Sequence, residues 1–410
     1  MSERTEQLST PEEISLGQEI AETYRGWRRV DKFLDPANQI EVIETELVEK
    51  DFDRVNITSR TDALMHLASL RTRLAHIYSP FADFSYDTIS ASIMYAHALD
   101  GRKFTLNEYA RGTIGIEPKP PEDDELKEQK EEVDKAAINA HIEPTPEGYD
   151  AHFNQGGLTR KQIKEEFTSS KETSVPIVAE ALGLSHLLPL NYVEKFVNLK
   201  KAFWRFHSAN RRNGVLFELN TASHVRWVKG GPEELAAHEL AGHVLQGQSW
   251  RQNIRAGIIN PGYGILPAPD PVEWQSEGIA STLPFLIPEL YAALTPIGSF
   301  TVEASYLNRL VMYRLHVMAN ENYPAEDIKA FVKRFLPYET DGRIERQIEM
   351  RTTNPFARCY QLTYCDGAYY FANTAKKLGP EKTIALLKTL YRQPMTPDQV
   401  KKVVAELQHS

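Results

Sequence analysis

The chain has 410 residues, 41% of them hydrophobic and 25% charged, with a formal net charge of −9 at pH 7. That composition excludes wholesale disorder, and the negative charge excludes a general attraction to nucleic acid or anionic lipid. Two cysteines, Cys359 and Cys365, are too few for a disulfide framework.

The opening stretch, MSERTEQLSTPEEISLGQ, is polar and acidic and lacks the apolar core of a signal peptide. With cysteine so scarce, a reducing, cytoplasmic setting is expected. Apolar residues then recur at spacings of three and four in EEISLGQEIAETYRGWRRVDKFL and ALMHLASLRTRLAHIYSPFADF, which predicts helices through most of the first hundred residues. From Gly112 to Ala137 the sequence turns Pro-containing and then densely charged, reading as a solvated loop leading into a surface helix. The expected organisation is a helical region over 1–115, a charged linker or surface segment over 116–140, and a metal-binding catalytic domain over 141–410.

Helical spacing returns around Arg160 to Leu182 and Leu190 to Ala209. Between them and the metal motif, NGVLFELNT (Asn213 to Thr221) reads as a short strand opened by Asn-Gly, an edge along which an extended substrate could pair. Arg211, Arg212 and Lys229 flank it as candidate carboxylate receivers. The longest apolar run, Ile279 to Leu294, is broken by Pro284, Pro288 and Glu289, so no membrane span is expected.

The chemistry concentrates in EELAAHELAGHVLQG, Glu233 to Gly247. Pro232 suits a first helical position, and Glu233 and Glu234 favour the positive end of the helix dipole. A metal helix with histidines four apart places both imidazoles on one face, with a glutamate beside the first. Here His238 and His243 are five apart, and at about 100° per residue the second imidazole would swing away. A π-bulge absorbs the extra residue, and Gly242 eases the distortion. Downstream, DPVEWQSEGIAS puts Glu273 and Glu277 at i and i+4 of a helix opened by Asp270 and Pro271. Spacing leaves these two carboxylates even as third ligand, the other orienting a histidine from outside. Two histidines, one glutamate and an open position make a catalytic metal site. The loop NPGYGILPAPDP between the two segments reads as a cleft mouth or as a plain connector.

These motifs resemble known families. HELAGH is similar to the H-E-x-x-G-H motif of the third class of dipeptidyl peptidases. SEGIAS resembles the E-G-L-A element of the QEGLA-motif family that includes tubulin tyrosine carboxypeptidases. AGHVLQ and EGIAS are similar to elements of a bacterial zincin-like family with H-E-x-x-P-G-H-H-L-Q and E-G-W-A-L-Y. NRLVMYRLH (Asn308 to His316) and PFARCYQLTYCDG (Pro355 to Gly367) continue the likeness to that last family.

The resemblance implies a mainly helical, two-lobed, gluzincin-type fold with a small β-sheet and a central cleft. It implies one zinc ion held by His238, His243 and Glu277, with Glu239 as general base. It also implies Tyr364 as oxyanion donor with Tyr360 as substitute, and His316 and Arg309 as further candidates for the oxyanion or a substrate carboxylate. The expected activity is hydrolysis of a peptide or an amide-containing small molecule. The alternatives are a zinc or iron enzyme of small-molecule biosynthesis and a non-catalytic helical regulatory protein.

Overall fold

A computed structural model describes residues 9–35, 40–200, 206–211, 214–222 and 225–409. Helix accounts for 69% of the chain, with a few small sheets and, among the described residues, no closed barrel. No described helix is long and apolar enough to cross a membrane.

The first helix, Pro11–Val30, starts where the local chemistry says it should. Thr10 caps it in a capping box with Glu13, and Pro11 occupies its first turn. Helices Arg60–Leu74, Pro80–Leu99, Leu106–Ile114, Asp123–Asn139 and Arg160–Leu182 follow. Asp123–Asn139 is charged outside yet buries Leu126, Val133, Ala136 and Ala137 against the long helix Pro296–Asn320. One continuous hydrophobic cluster runs from Leu16 to Val404, so the positions near 115 and 140 do not separate independent cores.

Residues 190–209 depart from the helical expectation. Tyr192–Val197 and Phe206–Arg211 are strands that flank Gly214–Asn220 in a three-stranded sheet, the first parallel to it and the second antiparallel. Alternate burial, not helical periodicity, governs this segment: Val215, Phe217 and Leu219 face the core while Gly214, Leu216 and Glu218 are half-buried. Gly214–Asn220 is therefore the central strand. Both its edges are taken, so it cannot pair a substrate as expected of an edge.

The NPGYG stretch is neither a cleft mouth nor a slack connector. Asn260 is buried, its Nδ2 donates to Glu13 O at 2.7 Å, and the loop lies directly on Gly17 of the first helix, where a Cβ would fall 1.9 Å from Asn260 Oδ1. Strand Ile265–Pro267 then pairs antiparallel with Ile43–Glu46. The N-terminal helix is thus bolted to the segment joining the two metal motifs.

After it come Val272–Leu286, Pro288–Ala293, Pro296–Asn320, Ala325–Phe335, Asp341–Thr353, Pro355–Leu378, Pro380–Arg392 and Pro397–His409. Asp270 opens the first of these, its Oδ1 accepting from Val272 N at 2.8 Å while the residue is wholly buried. Burial pushes its carboxyl up to about 7, with Glu44 and Asp87 adding repulsion. The folded chain holds this proton above the unfolded value, so stability present below about pH 4 drains away as pH rises through 7. Thermal unfolding scans between pH 5 and 8 should therefore show the midpoint falling, and Asp270→Asn should remove about 1–3 kcal/mol of that loss. Equal slopes for the two chains would place the cost elsewhere.

Candidate metal centre

Gly231–Ala236, Ala237–Val244 and Leu245–Arg255 form one continuous rod whose middle eight residues are π-helical. The N–H of Leu245 bonds Leu240 O, five residues back, and Gly242 O. Ala241 O accepts instead from the phenol of Tyr391 at 2.9 Å, so a carbonyl displaced by the bulge finds a buried partner. The extra residue is absorbed, and His238 and His243 face one another with ring centroids 4.8 Å apart.

Gly242 has a reason beyond bulge strain. A Cβ there would lie 2.7 Å from Ala280 Cβ and 3.1 Å from its Cα, on the helix Val272–Leu286. That crossing delivers Glu277 to the histidines. Its Oε2 is 3.3 Å from His238 Nε2 and 3.3 Å from His243 Nε2, and the two Nε2 atoms are 3.2 Å apart. Ligand atoms of a tetrahedral zinc with bonds of ~2.0–2.1 Å stand about 3.3 Å from each other. Glu277 Oε2 is also buried without a conventional hydrogen-bond donor. The donor set and its spacing fit one metal ion.

Electrostatics agree with the geometry. Burial opposes the charge on Glu277, but the imidazoles of His243 and His238 hold its carboxyl far below the usual range. Burial likewise opposes charge on His243, but Glu277 raises it to about 9. A dense carboxylate–imidazole cluster without metal thus keeps a proton that a cation would replace. Glu239, 3% exposed, places Oε1 3.7 Å from His238 Nε2, and burial raises its carboxyl above the ordinary range against the pull of both histidines. One ligand-capable atom from each of His238, Glu239 and His243 lies within 4.8 Å of the others.

Glu273 goes elsewhere. It stands one turn earlier, and burial followed by the charge of Glu44, from strand Ile43–Glu46, pushes its carboxyl well up. It orients neither histidine, and it is Glu277 that has an outer partner: the phenol of Tyr360 donates to its Oε1 at 3.1 Å. Tyr360 spends its single proton there, so in the 3.0 Å contact between Tyr360 and Tyr364 the hydroxyl of Tyr364 is the donor. A relay Tyr364 to Tyr360 to Glu277 results. The Tyr364 ring lies parallel to His238, 6.3 Å away.

The tyrosines arrive on Pro355–Leu378, which packs against Val272–Leu286 at a glycine-to-glycine contact. A Cβ on Gly278 would lie 2.7 Å from the carbonyl carbon of Gly367, and one on Gly367 2.9 Å from Gly278 Cα. His316 is a correction: it is wholly buried, burial holds it neutral beside Arg351 and Arg358, and it is not on the wall of the cavity at the site. Arg309 does line that cavity but is engaged by Glu234 Oε1 at 3.4 Å. Lys229 is exposed, and Arg212 and the side chain of Arg211 lie outside the described residues. Sequence reasoning missed Glu44, which approaches Glu273 from a strand more than two hundred residues away, and Tyr391, which serves the bulge; neither sits in a local motif.

The cavity has a volume of about 660 Å³ and reaches the triad through His238, Tyr360 and Tyr364. Trp227, Met312, Tyr338 and Arg351 also line it.

No known protein family matches the sequence, and no curated protein does either. Solved structures do match in shape. A chain provisionally described as a lipoprotein from Colwellia psychrerythraea superposes with a TM-score of 0.53 at 12% identity, covering 86% of this chain and 64% of that one. The chain therefore spans about two thirds of the length of that neighbour. A second, described in the same way and as of unknown function, from Shewanella oneidensis, gives 0.50 at 11% identity over 85% of this chain and 72% of its own. These likenesses show a shared fold.

Two substitutions probe the centre. Gly242→Ala should force the helices apart, cost about 1–3 kcal/mol and weaken zinc uptake in a metal-competition titration. Unchanged affinity and stability would mean that the crossing does not set the triad. Tyr360→Phe removes the bond to Glu277 and the acceptor of the Tyr364 hydroxyl, and should lower zinc affinity by about tenfold or more while leaving the fold intact by circular dichroism.

Proposed function

We propose that the chain is a zinc-dependent hydrolase of peptide or closely related amide bonds. The observation that carries this is the triangle of His238, His243 and Glu277, with edges of 3.2, 3.3 and 3.3 Å, beside a buried Glu239. Bound zinc would supply a Lewis acid and make water a nucleophile near neutral pH. Glu239, a buried carboxylate of raised proton affinity, takes the proton of the attacking water and hands it to the leaving amine. Tyr364 turns its hydroxyl from Tyr360 toward the developing oxyanion, a donor of a kind worth about 3 kcal/mol. Tyr360 keeps Glu277 in place throughout.

The cavity supports a short substrate: about 660 Å³ holds a few residues of an extended peptide. Two buried free thiols, Cys359 and Cys365, support a reducing, cytoplasmic setting.

The deciding experiment incubates zinc-loaded protein with a mixed peptide library and reads cleavage by mass spectrometry, beside Glu239→Gln. Cuts by the native chain, reduced at least a hundredfold in the variant with zinc content unchanged, are expected. Metal analysis of protein purified without added metal accompanies it, because two histidines and a carboxylate also suit iron(II). Iron in that sample together with intact peptides would overturn the proposal.

A further inference from the structure

The cavity beside the metal centre is more basic than its acidic chain leads one to expect. Among the described residues, Arg226, Arg309, Arg343 and Arg351 line it against only Glu234 and Glu339. A smaller adjoining recess of about 260 Å³ adds Arg346. The whole chain carries −9, so this local excess of positive charge is built into the cavity.

Two of these arginines have acidic company, and Arg226 donates to the carbonyl of Gly156. Arg309 pairs with Glu234 at 3.4 Å and Arg343 with Glu339 at 4.0 Å. Arg351 does not. It is 3% exposed, and no carboxylate among the described residues lies within ion-pair distance of it. Two neutral amides hold it instead: Nη1 donates to Gln347 Oε1 and Nη2 to Gln361 Oε1 at 3.1 Å. Its Nε is buried without a partner. The thiol of Cys365 also hydrogen-bonds the guanidinium, and burial raises it, so it brings no full opposing charge.

A guanidinium cannot shed its proton at any ordinary pH, and an uncompensated buried cation costs several kcal/mol. Such a group at the wall of an active-site cavity makes sense when an anion completes it. We propose that Arg351 is the specificity residue of this site, receiving a carboxylate carried by the substrate. The inference rests on the hydrolase reading for its chemistry, though the binding it asserts does not require turnover.

The register of Pro355–Leu378 places the receptor close to the reacting centre. Gln361 stands three residues from Tyr364, and such neighbours on a helix have Cβ atoms about 5–6 Å apart. An extended chain spans about 3.3–3.6 Å per residue, so the carboxylate would belong one or two residues beyond the cleaved bond. A planar carboxylate matches the guanidinium fork, and the two glutamines fix that fork without neutralising it. The substrate class is thus a short N-acylated peptide or amino acid with a carboxylate on its leaving side.

The test compares N-acetyl-dialanine with its C-terminal amide by isothermal titration against the full chain, with zinc and after chelation. The acid should bind more than about tenfold tighter in both conditions, the effect of a charge-assisted pair. Arg351→Gln should reduce the preference to threefold or less with zinc content unchanged; if that variant does not fold, the two conditions on the native chain still decide. Equal binding of acid and amide overturns the proposal. So does a preference that vanishes on chelation, which would put the carboxylate on the metal. An amide bearing glutamate in the last position identifies the source: binding like the acid assigns the recognised group to a side chain, binding like the plain amide to the chain terminus. Acid preference without cleavage of any peptide leaves this site standing and sinks the hydrolase; cleavage of acid and amide alike does the reverse.

Discussion

The centre depends on backbones that touch. Val272–Leu286 meets the bulged rod where Gly242 lies against Ala280, and meets Pro355–Leu378 where Gly278 lies against Gly367. Neither contact leaves room for a Cβ, so the helices sit closer than ordinary side-chain packing permits. Closeness is what a carboxylate needs to touch two imidazoles on one side and a phenol on the other. Glu277 has two methylenes before its carboxyl group, and at a wider separation it could not bridge both partners at about 3 Å.

The second constraint is desolvation. His238, Glu239 and Glu277 are each less than one tenth exposed. In such a place each charge survives only with a partner. Glu277 finds two imidazoles, whereas Glu273, with Glu44 for company, is driven toward its neutral form. Burial opposes charge on both of these glutamates one turn apart; the imidazoles favour it on Glu277, and Glu44 disfavours it further on Glu273. Helix Pro380–Arg392 supports both sides of this arrangement: Leu390 O accepts from Trp250 on the rod and from Gln275 on the neighbouring helix, while Tyr391 serves the bulge.

Much of this was legible in the sequence where the signal is local. Apolar spacing predicts the helices, and Pro and Thr mark several of their starts. HELAGH and SEGIAS mark the residues that the fold brings together, including the need for a π-bulge. The failures are equally local in origin. Residues 190–209 carry enough apolar residues to suggest a helix, but their partner strand is Gly214–Asn220, and pairing overrides propensity. His316 sits in a motif-like stretch yet points into the core, because a helix of 25 residues presents every face to something and the sequence does not say to what.

What the sequence by itself determined is the mainly helical character and the chemical inventory of the centre: two histidines, a glutamate beside the first, two carboxylates one turn apart and two tyrosines one turn apart. Periodicity and spacing act within a few turns of one helix, and that is their reach. Only the tertiary structure decided between Glu277 and Glu273, gave Tyr360 the carboxylate and left Tyr364 to donate onward. It also separated His316 from the cavity and stranded Arg351 at its wall. The first of those choices is a distance between helices far apart in the chain, set where Gly242 meets Ala280 and Gly278 meets Gly367.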